Sequence, residues 1–206
     1  MKETSLWYSL LWKLAFIIFK AFFGIKIQGE ENIPSVGGVI LASNHLSYLD
    51  PIVIALLTRR KINFMAKEEL FKNSLFSFLI GSLGAFPLKR GGFDGAAYKK
   101  ALYILREGKV LVLFPEGTRR QKKGEISSLQ KGAARIALSA GVPLVPIAIQ
   151  GTDKVLPRGK KMVRRAKINV RIGELFPGEK LSYTKDETDK LHTRLIKSIN
   201  ELLSSS

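Results

Sequence analysis

The chain contains no cysteine, which excludes disulfides, thiolate metal sites and cysteine nucleophiles. Histidine is almost as scarce, with two in 206 residues, so the one held inside the polar stretch "NHLSYLD" draws attention. Acidic side chains are outnumbered: 17 Asp and Glu stand against 34 Lys and Arg, a formal net charge of +17. Such an excess calls for an anionic partner, whether nucleic acid, anionic lipid headgroups, a phosphorylated substrate or an acidic carrier protein, and charge alone does not choose among them. Internal repeats, low-complexity tracts and interdomain linkers are all absent, as is the G-x-S-x-G signature of a serine nucleophile. What is present is a chain of 46% hydrophobic and 25% charged residues, enough to bury one core in one domain.

Aromatic residues are unevenly spread. The opening segment "LWYSLLWKLAFIIFKAFFGI" holds both tryptophans, one tyrosine and four of the twelve phenylalanines. No small-x-small cleavage site follows it, which argues against a signal peptide. As a membrane span it is interrupted by Lys13 and Lys20, which lie two helical turns apart on one face with Ser9. Aromatics around most of a helix with a lysine stripe suit the membrane–water interface, with Trp7, Trp12 and Phe16 among the side chains in lipid. Packing against the core and a true span are the competing readings. Residues 1–24 are therefore set apart as a membrane-associating helical element, and 25–206 as the catalytic or binding domain.

Beyond Gly24 short apolar runs alternate with amphipathic ones. "GVILASN", "KINFMAK", "GAFPLKR", "KVLVLFPEGTR", "VPLVPIAIQG" and "KINVRIG" read as strands, and Pro146 implies an edge position or a bulge. "DPIVIALLTRR" reads as a helix with Asp50 as N-cap and Pro51 in its first turn. "LFSFLIGSLG", "FDGAAYKKALYILREG" (capped by Asp94, ended by Gly108) and "LQKGAARIALSAG" read as further helices. The last helix is entered by the capping box "TKDE" and carries Leu191, Leu195, Ile199 and Leu202 on one face. Alternation of this kind predicts an α/β fold, a mainly parallel central sheet covered by helices on both sides. Ligands bind such sheets outside the carboxyl ends of the strands, where "NHLSYLD", "PLKRGG" and "FPEGTRR" all fall.

Each cluster brings a distinct chemistry. Histidine is the side chain best suited to remove a proton near neutral pH, and a carboxylate beside it fixes its tautomer. His45 and Asp50 make such a pair if the turn between them folds back; with no serine or cysteine nucleophile, the activated hydroxyl belongs to a substrate. Asp50 as a plain helix cap and His45 as a structural histidine remain open. Arg119 and Arg90 sit at separate strand exits, and their planar forks suit phosphate oxygens; the alternative is a pair of solvated cations. "KVLPRGKKMVRR" is either a solvated loop or a headgroup-docking one, and it lacks the interleaved aromatics of a nucleic-acid surface.

Taken in order, the clusters resemble the glycerolipid acyltransferases of the 1-acyl-sn-glycerol-3-phosphate (lysophosphatidate) O-acyltransferase family. "NHLSYLD" resembles its N-H-x-S-x-x-D block, "GAFPLKR" its second, "FPEGTR" its E-G-T-R block and "VPLVPIAI" its proline-containing fourth, while "AKEEL" resembles the segment after the second strand. The resemblance runs from about Ile25 to Gly173, in order and in spacing. It implies transfer of an acyl chain from acyl carrier protein or coenzyme A to the sn-2 hydroxyl of lysophosphatidate, with no metal, no cofactor beyond that cosubstrate and no nucleic acid. On the same resemblance His45 is the general base and Asp50 orients it. Arg90 and Arg119 hold the acceptor phosphate, and Glu116, Gly117 and Thr118 shape its glycerol pocket. Lys67, the Gly117 N–H, Asn44 and Ser47 are candidates for oxyanion donation or support of the site. The expected location is the cytoplasmic face of the cell membrane, monotopic or peripheral, in contact with anionic phospholipid. A related acyltransferase using glycerol-3-phosphate or another lysolipid fits the same motifs; a non-catalytic basic surface or nucleic-acid protein fits only the charge.

Overall fold

The computed structural model describes residues 6–89, 92–116, 130–160, 162–178 and 184–205. Its strands are β1 (Lys26–Gln28), β2 (Val39–Ser43), β3 (Ile62–Lys67), β4 (Ala85–Leu88), β5 (Val110–Leu113), β6 (Leu144–Gln150) and β7 (Asn169–Ile172). Its helices are α1 (Leu6–Phe23), α2 (Asp50–Leu56), α3 (Ser74–Ser82), α4 (Gly95–Arg106), α5 (Gly132–Ala140), α6 (Thr152–Val155) and α7 (Lys185–Ser204). One sheet in the order β1-β7-β6-β2-β5-β3-β4 runs through the domain, parallel throughout except between β6 and β7. The mainly parallel sheet agrees with the expectation. Strand β1 and helix α6 were not foreseen, because three or four residues are too few to show a period.

Apolar runs in the central strands follow from burial on both faces. Val39 and Leu41 of β2, with Val110 and Val112 of β5, face a layer made by α1, α2 and α6. Ile40 and Ala42, with Leu111 and Leu113, face α4, α5 and α7 on the other side. Strand β6 is interior, so Pro146 does not mark an edge. It marks a bulge instead: between the pairs Leu144–Phe176 and Ile147–Ile172, Val145 and Pro146 lie opposite Gly173, Glu174 and Leu175. The missing Pro146 N–H falls where the ladder to β7 is already broken, while its carbonyl still accepts from Gly173 N at 2.9 Å.

Helix α1 divides its circumference. Phe19 and Phe23 are buried in the core, Trp12, Ala15 and Phe16 pack against it, and Trp12 Nε1 donates to the Ala55 carbonyl of α2 at 2.8 Å. The expectation that Trp12 and Phe16 enter lipid is corrected: both pack against the core cluster on the sheet's first face, where the bond to Ala55 fixes Trp12. Only the backbone of Trp7 is described. On the far side Leu10, Leu14, Ile17, Ile18 and Phe22 are exposed, with Lys13 and Lys20 on the flank. Among the described residues no helix is long and apolar enough to cross a membrane.

Helix α7 starts as the sequence requires, with Thr184 accepting from Glu187 N, although the Glu187 carboxylate pairs with Lys190 at 2.9 Å. Its buried line is Thr188, His192, Leu195 and Ile199, with Leu191 and Leu202 only half-buried, a small rotation from the expected face. His192 Nδ1 is buried and, among the described residues, has no hydrogen-bond partner. Burial, reinforced by the Lys131 charge and partly offset by Asp189, holds its imidazole below the ordinary value of 6.5. The folded protein thus binds this proton less readily than the unfolded chain does. The associated stability is complete above the unfolded pKa and is lost as pH falls towards the lowered folded one. Between pH 7 and pH 5 the urea midpoint should fall less in His192→Gln than in the parent protein; parallel pH profiles would overturn this assignment.

Candidate active site

Strand β2 ends at Ser43, and Asn44 explains how the chain leaves the sheet. Its buried side-chain amide bonds to Ile149 of β6 at both ends, Nδ2 donating to the carbonyl at 2.9 Å and Oδ1 accepting from the N–H at 2.7 Å. A side chain here replaces the backbone in the ladder, which frees the next residues to turn outward. One of the two Nδ2 hydrogens is committed to the Ile149 carbonyl, and through this pairing the side chain supports the turn.

The turn closes on Asp50. Its Oδ2 accepts from Leu46 N at 2.6 Å, Ser47 N at 2.8 Å and the His45 ring at Nδ1 at 2.8 Å. The expected N-cap role is corrected, since α2 begins at Asp50, Leu49 occupies the cap position and no side chain caps the helix. The carboxylate reaches backwards because the preceding turn offers two N–H groups, whereas Pro51 behind it offers none. With two backbone donors already on Oδ2, the imidazole must donate from Nδ1–H. In the neutral ring this arrangement puts the lone pair on Nε2, the tautomer of a general base. Among the described residues Nε2 makes no hydrogen bond, and the His45 side chain is 18% exposed against 0% for Asp50. A reachable base on an unreachable carboxylate is what proton abstraction from a substrate needs.

Two elements hold the ring from the β5 side. Phe114 stacks on the imidazole with centroids 4.2 Å apart and planes 24° from parallel. Glu116 Oε1 accepts from His45 N at 3.2 Å, so this carboxylate braces the turn that carries His45. Ser47, buried, donates its Oγ to the Leu156 carbonyl beyond α6 at 3.0 Å, another supporting role. Lys67 is the exposed last residue of β3, in register with Leu88 of β4. The exits of β2, β5, β3 and β4 thus stand side by side on one rim, with His45 and Glu116 in contact. Arg90, Gly117, Thr118 and Arg119 lie outside the described residues. Sequence reasoning missed Phe114, although it directly precedes the Pro-Glu pair at the β5 exit, and missed the carbonyls of Ile149 and Leu156, whose pairings are over a hundred residues long in sequence. Among the described residues no group of three or more His, Cys, Asp or Glu is arranged to hold a metal ion.

A mainly parallel α/β sheet that presents a carboxylate-paired histidine at its carboxyl rim has the arrangement that general-base chemistry on a substrate hydroxyl requires. Known proteins with this chain's sequence features narrow that class. A family model described as Acyltransferase matches residues 24–150. The 1-acyl-sn-glycerol-3-phosphate acyltransferase of Bacillus subtilis (strain 168) is 33% identical over 152 residues, 73% of either chain. That of Borreliella burgdorferi is 26% identical over 92% of this chain and 81% of its own. The chloroplastic LPAT1 of Arabidopsis thaliana is 34% identical over 82% of this chain, which spans about half (48%) of that plant relative. The crystal structure of the 1-acyl-sn-glycerophosphate (LPA) acyltransferase PlsC from Thermotoga maritima superposes with a TM-score of 0.76 at 27% identity, covering 100% of this chain and 85% of that one. The chain belongs to the acyltransferase family, in the branch of the 1-acyl-sn-glycerol-3-phosphate acyltransferases. It is an acyl-transferring enzyme.

Proposed function

We propose that the protein acylates the sn-2 hydroxyl of lysophosphatidate from an acyl thioester, on acyl carrier protein or coenzyme A, and releases phosphatidate. The observation that carries this reading is the His45 Nδ1–Asp50 Oδ2 bond of 2.8 Å, which leaves Nε2 to receive a proton. The acceptor hydroxyl gives its proton to Nε2 as its oxygen bonds to the thioester carbonyl carbon. The tetrahedral intermediate then collapses, the carbon–sulfur bond breaks, and the imidazolium returns its proton to the departing thiolate. No covalent enzyme intermediate forms. A basic protein that bound lipid or nucleic acid through charge alone would have no use for a buried carboxylate gathering two N–H groups and a ring. The exposed apolar side of α1, flanked by Lys13 and Lys20, supports attachment to one membrane leaflet, where acceptor and product both reside. The cytoplasmic face is the side on which thioester donors are made.

On this reading Arg90 and Arg119 clamp the acceptor phosphate, Glu116, Gly117 and Thr118 border the glycerol, and Lys67 and the Gly117 N–H are the oxyanion donors. The deciding experiment is an assay of purified enzyme with labelled acyl donor against lysophosphatidate, glycerol-3-phosphate and monoacylglycerol. Lysophosphatidate should be preferred. Arg119→Ala should reduce its use by about 1.5–3 kcal/mol in kcat/KM, the cost of a lost charge-assisted contact, and leave monoacylglycerol little affected. Arg119→Lys should restore only part, since an ammonium keeps charge without the fork. Equal damage to both acceptors would remove the clamp; preference for glycerol-3-phosphate would reassign the acceptor.

A further inference from the structure

The stretch from Arg158 to Arg165 is used neither by the core nor by the His–Asp pair. Its described cations Arg158, Lys160, Arg164 and Arg165 are all exposed, and between them Met162 and Val163 stand 80% and 53% exposed. Single exposed apolar side chains need no explanation, but two in succession inside a cationic run are unexpected for a solvated loop. The loop is pinned at three points. Arg164 N donates to the carbonyl of Val155, the last residue of α6, at 2.7 Å. Downstream, Ile168 N donates to the Phe23 carbonyl at 3.3 Å while Lys26 N donates to Ile168 O, which ties the loop to the end of α1. Upstream, Leu156 holds Ser47 of the catalytic turn at 3.0 Å. The loop therefore bridges the end of α1 and the site.

We infer that the Arg158–Arg165 loop is a second membrane contact, with Met162 and Val163 entering the headgroup layer of an anionic leaflet while the four cations pair with lipid phosphates. This rests on α1 lying in the same leaflet. An acidic protein would also attract the cations. The apolar pair and the connection to the α1 end favour lipid, because both then meet one continuous apolar medium.

The absence of cysteine makes the test direct, since any introduced thiol is unique. Met162→Cys and, separately, Ile17→Cys carry a polarity-sensitive fluorophore on the full-length protein. Each is mixed with phosphatidylglycerol-containing vesicles, with pure phosphatidylcholine vesicles and with acyl carrier protein. Both probes should shift to the blue on anionic vesicles and be quenched by a lipid-borne quencher. High salt should return the Met162 probe to its aqueous emission and leave the Ile17 probe shifted. Arg164→Gln and Arg165→Gln should each raise the anionic lipid needed for half-maximal binding about fivefold. A Met162 probe that stays in water while the Ile17 probe enters lipid overturns the loop contact and spares the α1 reading. If neither probe enters lipid, both fall. A Met162 probe that responds to carrier protein and not to vesicles overturns the lipid assignment in favour of donor docking.

Discussion

Asp50→Asn should leave a folded protein whose kcat is reduced by about 10²–10⁴-fold, the range lost when a catalytic histidine loses its carboxylate or its function. Asparagine can still offer one oxygen to the N–H groups of Leu46 and Ser47, so the turn keeps its shape. It cannot offer negative charge to an imidazolium. Far-ultraviolet circular dichroism and a melting curve close to those of the parent should accompany the loss. His45→Ala should cost about as much, and the double variant should cost no more than the worse single one, because groups that act as a unit do not contribute additively. Near-normal turnover in folded Asp50→Asn would falsify the orienting role.

Asn44→Ala should show the opposite pattern, a large loss of stability with a small loss of turnover. The substitution leaves the N–H and C=O of Ile149 buried without partners, at about 1–3 kcal/mol for each. Strand β6 is central to the sheet, so the loss should appear in global unfolding, read as a fall in urea midpoint. Asn44→Asp should be no better, since a carboxylate has no hydrogen to give the Ile149 carbonyl. Below the new melting range, kcat should stay within about one order of magnitude of the parent. An unchanged midpoint with a 10²–10³-fold lower kcat would instead make Asn44 an oxyanion donor, the loss typical of deleting one.

The contrast between these two neighbours shows what the sequence could reveal. The apolar runs of β2, β5 and β6 announce strands buried on both faces, and right-handed crossovers then place their polar ends on one rim. The His-x₄-Asp pair was therefore legible as a place before it was legible as a geometry. What could not be read was which partner each polar side chain would choose. Asp50 before Pro51 carries every mark of a helix cap, and only the folded turn shows the two N–H groups that draw its carboxylate backwards. Asn44 is a candidate for oxyanion donation or for support of the site, and only the fold shows that its partner is Ile149, far along the chain. The α1 sequence fits the interface, core packing or a true span; the folded helix turns Trp12, Phe16, Phe19 and Phe23 inward and Leu14, Ile17 and Phe22 outward.

The bond from Trp12 Nε1 to the Ala55 carbonyl joins α1 to α2, and α2 begins with Asp50 itself. No linker, and so no slack, separates the element proposed to rest in lipid from the carboxylate that aims the base. In a protein tethered by a flexible arm, the reaction centre would sample many heights above the bilayer. If α1 rests in lipid as proposed, that height becomes a fixed dimension of the packed core, and α1 would act as the arm of a depth gauge. On that proposal acceptors would be sorted by where their hydroxyl floats relative to the headgroup plane as well as by the groups they carry.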